Sequence, residues 1–161
     1  MKRNFEAGSA GEMCTRVVSL AWPGLSIEDA ARVMRDQGVG SLVVVEEVSP
    51  EERRVVGMLT DRDIAVGVVG NQRLPQGLCV GDLMSRQVVT VSEDDGAMDV
   101  LDVMRRHGVR RVPVVAAGGR LVGVLSVDDV LSVLAEQLRV LAQAVARPRP
   151  TATEPGPFQS T

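Results

Sequence analysis

"VVGMLTDRDIAV", residues 55–66, sets a hydroxyl and two carboxylates directly behind an apolar run. Sixty-six residues further on the chain writes "LVGVLSVDDVLS", residues 121–132, with Ser126 in the place of Thr60 and Asp129 in the place of Asp63. Each copy reads as a strand running into a helix, because [ST]-x-x-[DE] behind a β-branched run is the signature of a capping box. The hydroxyl accepts from an amide of the first turn, and the carboxylate reaches back to the amide of the capping residue. The same geometry also suits a ligand. A helix start offers unpaired N–H groups and a positive dipole end to an anion such as phosphate. A carboxylate there can accept from both hydroxyls of a ribose, as in dinucleotide-binding folds. Local spacing is compatible with both uses, and only the wider frame separates them.

That frame is a tandem repeat. "SIEDAARVMRDQGVGSLVVV", residues 26–45, aligns without gaps on "GAMDVLDVMRRHGVRRVPVV", residues 96–115, with eight of twenty positions identical. Upstream, "GEMCTRVVSL" at 11–20 resembles "GDLMSRQVVTV" at 81–91. The β-branched runs Val17–Leu20 and Val88–Val91 predict strands. Ile27, Ala30, Ala31 and Met34 fall at helical spacing, as do Ala97, Val100, Leu101 and Met104, so a helix follows each strand. Gly38 and Gly108 suit the left-handed residue that ends a helix. "SLVVVE" and "RVPVVA" are near-continuous apolar runs and read as buried strands. The charged "VSPEERR" and the tighter "AGGR" are loops leading into a third strand and a second helix. Each unit is therefore β-α-β-β-α, an α+β or α/β arrangement. Neither unit covers its own sheet well, which is an argument for packing the two together.

Composition removes several function classes. A net charge of −3 supplies no general attraction to nucleic acid or anionic membrane. Aromatics at 2% leave no base-stacking surface. The absence of an apolar run of roughly 18–20 residues argues against a membrane span, and "MKRNFEAGSAGE" lacks the apolar core of a signal peptide, so the expected location is cytoplasmic. In a reducing compartment Cys14 and Cys79 read as small buried apolar residues rather than a disulfide. One histidine, His107, and two isolated cysteines do not make a four-ligand zinc site. His107 precedes a helix-ending glycine, where exposure is expected, so no nucleophile–base constellation forms around it. "AAGGRLVG" fits neither dinucleotide nor P-loop spacing and reads as a hairpin turn.

The paired "hhGhhT-x-x-D" motifs, with "MSRQVVTV" and "HGVRRVPVV" between them, resemble the CBS-domain family over residues 11 to about 136. The resemblance implies two motifs packed as an intramolecular pseudo-dimer, with an extended C-terminal helix, that senses adenosine-containing ligands in clefts between its halves and does not catalyse. It implies AMP, ADP or ATP as ligand, with S-adenosylmethionine or an NAD derivative as alternatives, and no required cofactor or metal. Carried over by position, Thr60 and Ser126 match the hydroxyl near ribose and phosphate, and Asp63 and Asp129 match the ribose-binding carboxylate. Arg110 and Arg111 match basic positions that face phosphate, and Arg62 adds a charge beside the first helix start. Met58 and Val124, with Val17–Val18 and Val88–Val89, correspond to the walls around adenine. Cys14, where the second copy has Met84, departs from the pattern as a packing change. Because each cleft lies between the halves, the family frame puts Asp63 with Arg110 and Arg111. Asp129 then faces Gly40 and Ser41, leaving its cleft without those cations.

The organisation expected is a flexible N-terminus (1–10), a first motif (11–70), a linker (71–80), a second motif (81–136), a helical extension (137–146) and a disordered Pro-rich tail (147–161). Leu131, Leu134, Leu138, Leu141 and Val145 recur in steps of three and four. This seam is expected to lie on its own domain, with pairing to a second subunit as the alternative. Homodimers are common in the family, and output would pass to a regulated partner whose identity the sequence does not carry. A scaffolding module with vestigial clefts and a nucleic-acid-associated regulator are the rival readings.

Overall fold

The computed structural model describes residues 8–50 and 52–146. The expected tail at 147–161 and the first seven residues lie outside the described residues. The first repeat contains α1 (Ala10–Met13), β1 (Leu20–Ala21), α2 (Ile27–Gln37), β2 (Ser41–Ser49), β3 (Glu52–Thr60) and α3 (Asp61–Ile64), the last continued by a π-helical stretch, Ala65–Gly70. The second contains α4 (Val80–Leu83), β4 (Val91–Ser92), α5 (Ala97–His107), β5 (Arg111–Val115), β6 (Leu121–Ser126) and α6 (Val127–Ala146). Each repeat forms its own three-stranded sheet, in the orders β1-β2-β3 and β4-β5-β6. The outer strand is parallel in both (Ala21 beside Val44, Val91 beside Val114), and the hairpin is antiparallel (Gly57 beside Val44, Gly123 beside Val114).

The helices obey their sequence signals. Ser26 caps α2 by accepting from the Asp29 amide at 3.0 Å, and Gly38 and Gly108 end α2 and α5 with φ of 65°. Ile27, Ala30 and Met34 are buried on one face of α2, and Ala97, Val100 and Met104 on one face of α5. Ala31 is exposed, which narrows the predicted face. His107 is exposed, as its position ahead of Gly108 predicts.

The two cores do not follow the sequence units. Ala10 of α1 is fully buried, and with Met13 and Cys14 it packs into the cluster of Val91, Val100, Val112, Val114 and Leu125, in the second sheet. Val80 and Met84 at α4 pack into the cluster of Ala21, Ile27, Leu42, Val44 and Leu59, in the first. The opening helix of each repeat thus completes the core of the other. Backbone bonds fasten both crossings. Thr15 exchanges N–H···O bonds with Val124 at 2.9 and 3.0 Å, and Ser85 with Met58 at 2.9 and 3.0 Å. The chain just before β1 and β4 must therefore run from one sheet to the other. This is why the predicted strands at Val17–Leu20 and Val88–Val91 shrink to two paired residues each, and why Val17 is 92% exposed.

Two glycines allow the crossings. A Cβ on Gly57 would lie 2.5 Å from Met84 Sδ, and one on Gly123 would lie 2.5 Å from Cys14 Sγ and 2.7 Å from the Thr15 carbonyl. Cys14 and Met84 occupy equivalent seats, so their difference is one of packing. Burial pushes the Cys14 thiol up, away from the reactive thiolate. Both cysteines are only partly buried, unlike the buried apolar residues expected. Cys79 sits at the start of α4, where its amide donates to Asp82 at 2.8 Å. Both cysteines are free.

The helix α6 runs unbroken from the second motif, so the expected extension at 137–146 is a continuation of that helix. Only Val130 of α6 is fully buried, while Val127, Val133 and Leu134 rest against the second core. Leu131, Leu138, Leu141 and Val145 are exposed, contrary to the expectation that the seam lies on its own domain. At 1.5 Å per residue this 20-residue helix is about 30 Å long, and its C-terminal half outruns the sheet that could cover it. No described helix is long and apolar enough to cross a membrane.

Gly57→Ala and Gly123→Ala are expected to destabilise unequally. The first displaces the end of a flexible Met side chain and the second meets a backbone carbonyl, so Gly123→Ala costs about 1–3 kcal/mol and Gly57→Ala less. Urea unfolding of both variants measures the order. Residues 1–75 expressed alone lack the α4 contribution to their core and leave α1 without its sheet, so size-exclusion chromatography should show self-association or aggregation rather than a monomer.

Candidate ligand clefts

Thr60 and Ser126 both end a strand and begin a helix, and both predicted capping boxes form. The Asp63 amide donates to Thr60 Oγ1 at 3.1 Å, and the Thr60 amide and hydroxyl donate to Asp63 Oδ2 at 2.8 and 2.7 Å. In the second repeat the corresponding distances are 3.2, 2.8 and 2.5 Å. Each box uses one carboxylate oxygen. Oδ1 of Asp63 and Oδ1 of Asp129 have no protein donor among the described residues. A cap and an unused acceptor oxygen therefore coexist in one side chain.

The larger cleft, about 750 Å³, brings Thr60, Arg62 and Asp63 together with Met58 from the first repeat and Val88, Val89, Arg110 and Arg111 from the second. This is the grouping the sequence predicted for Asp63. Ser85, Gln87, Asp61 and Asp128 also line it and were missed. Asp61 directly follows the cap Thr60 and Asp128 lies two residues after the cap Ser126, so both resemble ordinary first-turn acids. The smaller cleft, about 220 Å³, contains Ser126 and Asp129 with Val17, Val18, Val124 and Ser41. Val17 and Val18 therefore belong to the Asp129 cleft and not to the Asp63 cleft.

Two expectations about charge need correction. Arg111 lines both clefts, so the Asp129 cleft is not without a cation. The Arg111 Nη1 donates to Ser41 Oγ at 3.2 Å, which holds the guanidinium across the junction of the repeats. Gly40, expected opposite Asp129, lines the larger cleft instead. Asp128, near the second helix start, lines the larger cleft as well. Arg106 and Arg105 pair with Asp102 on the surface of α5 and hold its carboxyl down at about 2, whereas Arg110 and Arg111 line the larger cleft. No group of three or more metal-ligating side chains occurs among the described residues.

The size difference matters. Small-molecule sites generally occupy about 300–1,000 Å³; the Asp63 cleft falls inside that range and the Asp129 cleft falls below it.

Two segments, residues 10–70 and 80–136, match the CBS domain family. The chain belongs to that family, as a tandem pair of its motifs. It is 34% identical over 125 residues to protein MK0525 of Methanopyrus kandleri, a match covering 78% of this chain and 62% of that one, so the chain spans less than two thirds of that relative's length. A protein with CBS domains from Burkholderia ambifaria has the same fold, with a TM-score of 0.70 at 26% identity over 81% of this chain and 96% of the other. The CBS pair of protein MJ0100, solved with 5′-methylthioadenosine and S-adenosylmethionine, shares the fold at a TM-score of 0.68 and 24% identity, over 81% of this chain and 98% of the other.

Because the boxes cap helices whether or not a ligand binds, Ser126→Ala should lower unfolding free energy by about 1 kcal/mol in the absence of ligand. Denaturant titration of the unliganded protein checks this.

Proposed function

We propose that this CBS pair is a regulatory module that binds an adenosine ligand of the AMP, ADP or ATP class in the Asp63 cleft and passes occupancy to a partner protein, without catalysing a reaction. The observation that carries this reading is the divided Asp63 carboxylate. Oδ2 serves the cap, and Oδ1 remains as an acceptor in a cavity of about 750 Å³ that also holds Arg110 and Arg111. A ribose needs such an acceptor, phosphate needs the guanidinium groups, and Met58, Val88 and Val89 offer apolar surface to a purine. Nucleotide pools of this kind are cytoplasmic, and that is the compartment proposed.

Charge narrows the ligand. Arg62, Arg110 and Arg111 share the cleft with Asp61, Asp63 and Asp128. Three cations against three carboxylates suit one phosphate better than three, whose further charges would meet Asp61 and Asp128. The same balance favours, as a second reading, an adenosine ligand without phosphate such as S-adenosylmethionine. A thermal-shift panel of AMP, ADP, ATP, S-adenosylmethionine and NAD separates these readings, since a ligand at 100 times its Kd adds about 2.7 kcal/mol to the folded state. AMP is expected to shift the transition more than ATP. Asp63→Ala should abolish the calorimetric binding and Asp129→Ala should leave it; the reverse order would overturn the assignment of the clefts. A panel in which no ligand moves the transition would favour a scaffolding module.

A homodimer completes the proposal. Leu138 and Leu141 are 66% and 54% exposed on α6, on the same seam as Leu131 and Val145, and a second copy would bury that stripe. Light scattering at tens of micromolar should give twice the chain mass, and Leu138→Glu with Leu141→Glu should return it to one chain.

A further inference from the structure

A third cavity, about 340 Å³, lies away from the capped helix starts. Arg16, Arg53 and Arg120 wall it above a floor of Leu20, Leu121 and Val122. Arg53 stands seven residues before Thr60 on β3, roughly 20 Å or more along the strand. The three guanidinium groups come from separate segments: the crossing after α1, the start of β3 and the entry to β6.

The electrostatics of this place are unbalanced. Arg54 and Arg120 are direct partners in an antiparallel bridge between the two sheets, and like charges directly opposite one another destabilise a sheet. Among the described residues no Asp or Glu lines the cavity. Among the described residues Arg53, Arg54 and Arg120 make no ion pair, whereas Arg32, Arg35, Arg105, Arg106 and Arg139 each do. Glu47 and Glu46 stand opposite Arg53 and Arg54 in the β2–β3 register without pairing to them. Arg16 spends one donor on the Gly11 carbonyl at 3.1 Å, which fixes its guanidinium and leaves its other N–H groups available. On a chain with a net charge of −3, general basicity does not account for such a convergence.

We infer that this cavity is an anion site of the phosphate class, adjoining the smaller cleft only at Val18 and independent of what either cleft binds. Guanidinium groups give phosphate oxygens charge-assisted bonds, and an anion beside Arg120 offsets the positive charge that its bridge partner Arg54, outside the cavity, adds nearby. The apolar floor adds a place for the organic part of a phosphate ester. The volume is near the lower end of small-ligand sites, about 300 Å³, which fits a pyrophosphate or a compact phosphomonoester rather than a whole dinucleotide.

The test is calorimetry on the full chain at low salt, with inorganic pyrophosphate and phenyl phosphate as probes. Saturable binding of at least one probe is expected, and Arg53→Gln with Arg120→Gln should weaken it about tenfold or more, through loss of two charge-assisted contacts. Both arginines are exposed, and circular dichroism verifies that the variant is folded. Tighter binding of phenyl phosphate assigns the site to organic phosphate esters, and tighter binding of pyrophosphate assigns it to inorganic anions. Arg110→Gln with Arg111→Gln removes the cation shared by both clefts and a second from the larger one, and should leave the probe affinity within about twofold, since those groups lie outside the cavity. The inference is overturned if neither probe binds saturably, if the Arg53/Arg120 variant binds as the parent does, or if the Arg110/Arg111 variant loses the binding.

Discussion

The closeness of two backbone crossings governs this structure. At Gly57 and Gly123 a strand of one repeat passes so near the opening segment of the other that a methyl group would sit 2.5 Å from a sulfur atom. That approach lets Thr15 bond to Val124 and Ser85 bond to Met58. These bonds bring α1 onto the second sheet and α4 onto the first, so each core is completed by residues nearly seventy positions away from its own sheet's equivalents. Met58 and Val124, the residues gripped by the crossings, are also walls of the two clefts. The feature that closes the cores is the one that shapes the cavities, and neither repeat has a finished cleft without its counterpart.

The capping boxes show how one set of side chains meets both a folding need and a chemical one. A helix start needs acceptors for its first amides, and Thr60 and Ser126 supply them. The aspartates return to the capping amide through a single oxygen. A carboxylate has about four acceptor positions, so half of each remains for hydroxyl donors. Retaining the box for stability therefore costs the cleft nothing in hydrogen-bonding capacity. The same side chain also becomes rigid, because its rotamer is held from two directions, and a fixed acceptor loses less entropy on meeting a ligand.

The two clefts differ through one pair of positions. The second repeat carries Arg110 and Arg111 where the first carries Gly40 and Ser41. The small first-repeat residues let the Arg111 side chain cross to Ser41, and its guanidinium then borders both cavities. Arg110 remains in the larger one. Acidic residues oppose these cations there: Asp61 follows its cap and Asp128 arrives from the other repeat. Cations and carboxylates thus share the larger cleft in equal number among its lining residues.

The sequence alone determined the repeat, the helix limits at Gly38 and Gly108, the capping roles of Thr60 and Ser126, and the grouping of Asp63 with Arg110 and Arg111. The first three follow from local physics: apolar periodicity, a left-handed residue and a hydroxyl at a helix start act within a few residues of one another. The grouping followed from the family resemblance carried by "GVRRVPVV" and the paired strand–helix motifs. Tertiary structure alone decided the exchange of opening helices, the shortening of β1 and β4, the double position of Arg111, the exposure of the α6 seam and the facing of Asp128 into the opposite cleft. Each of these depends on how two half-covered sheets approach one another. That distance is set by volumes such as the missing side chains of Gly57 and Gly123, and a glycine in a strand looks the same in sequence whether another backbone presses on it or not.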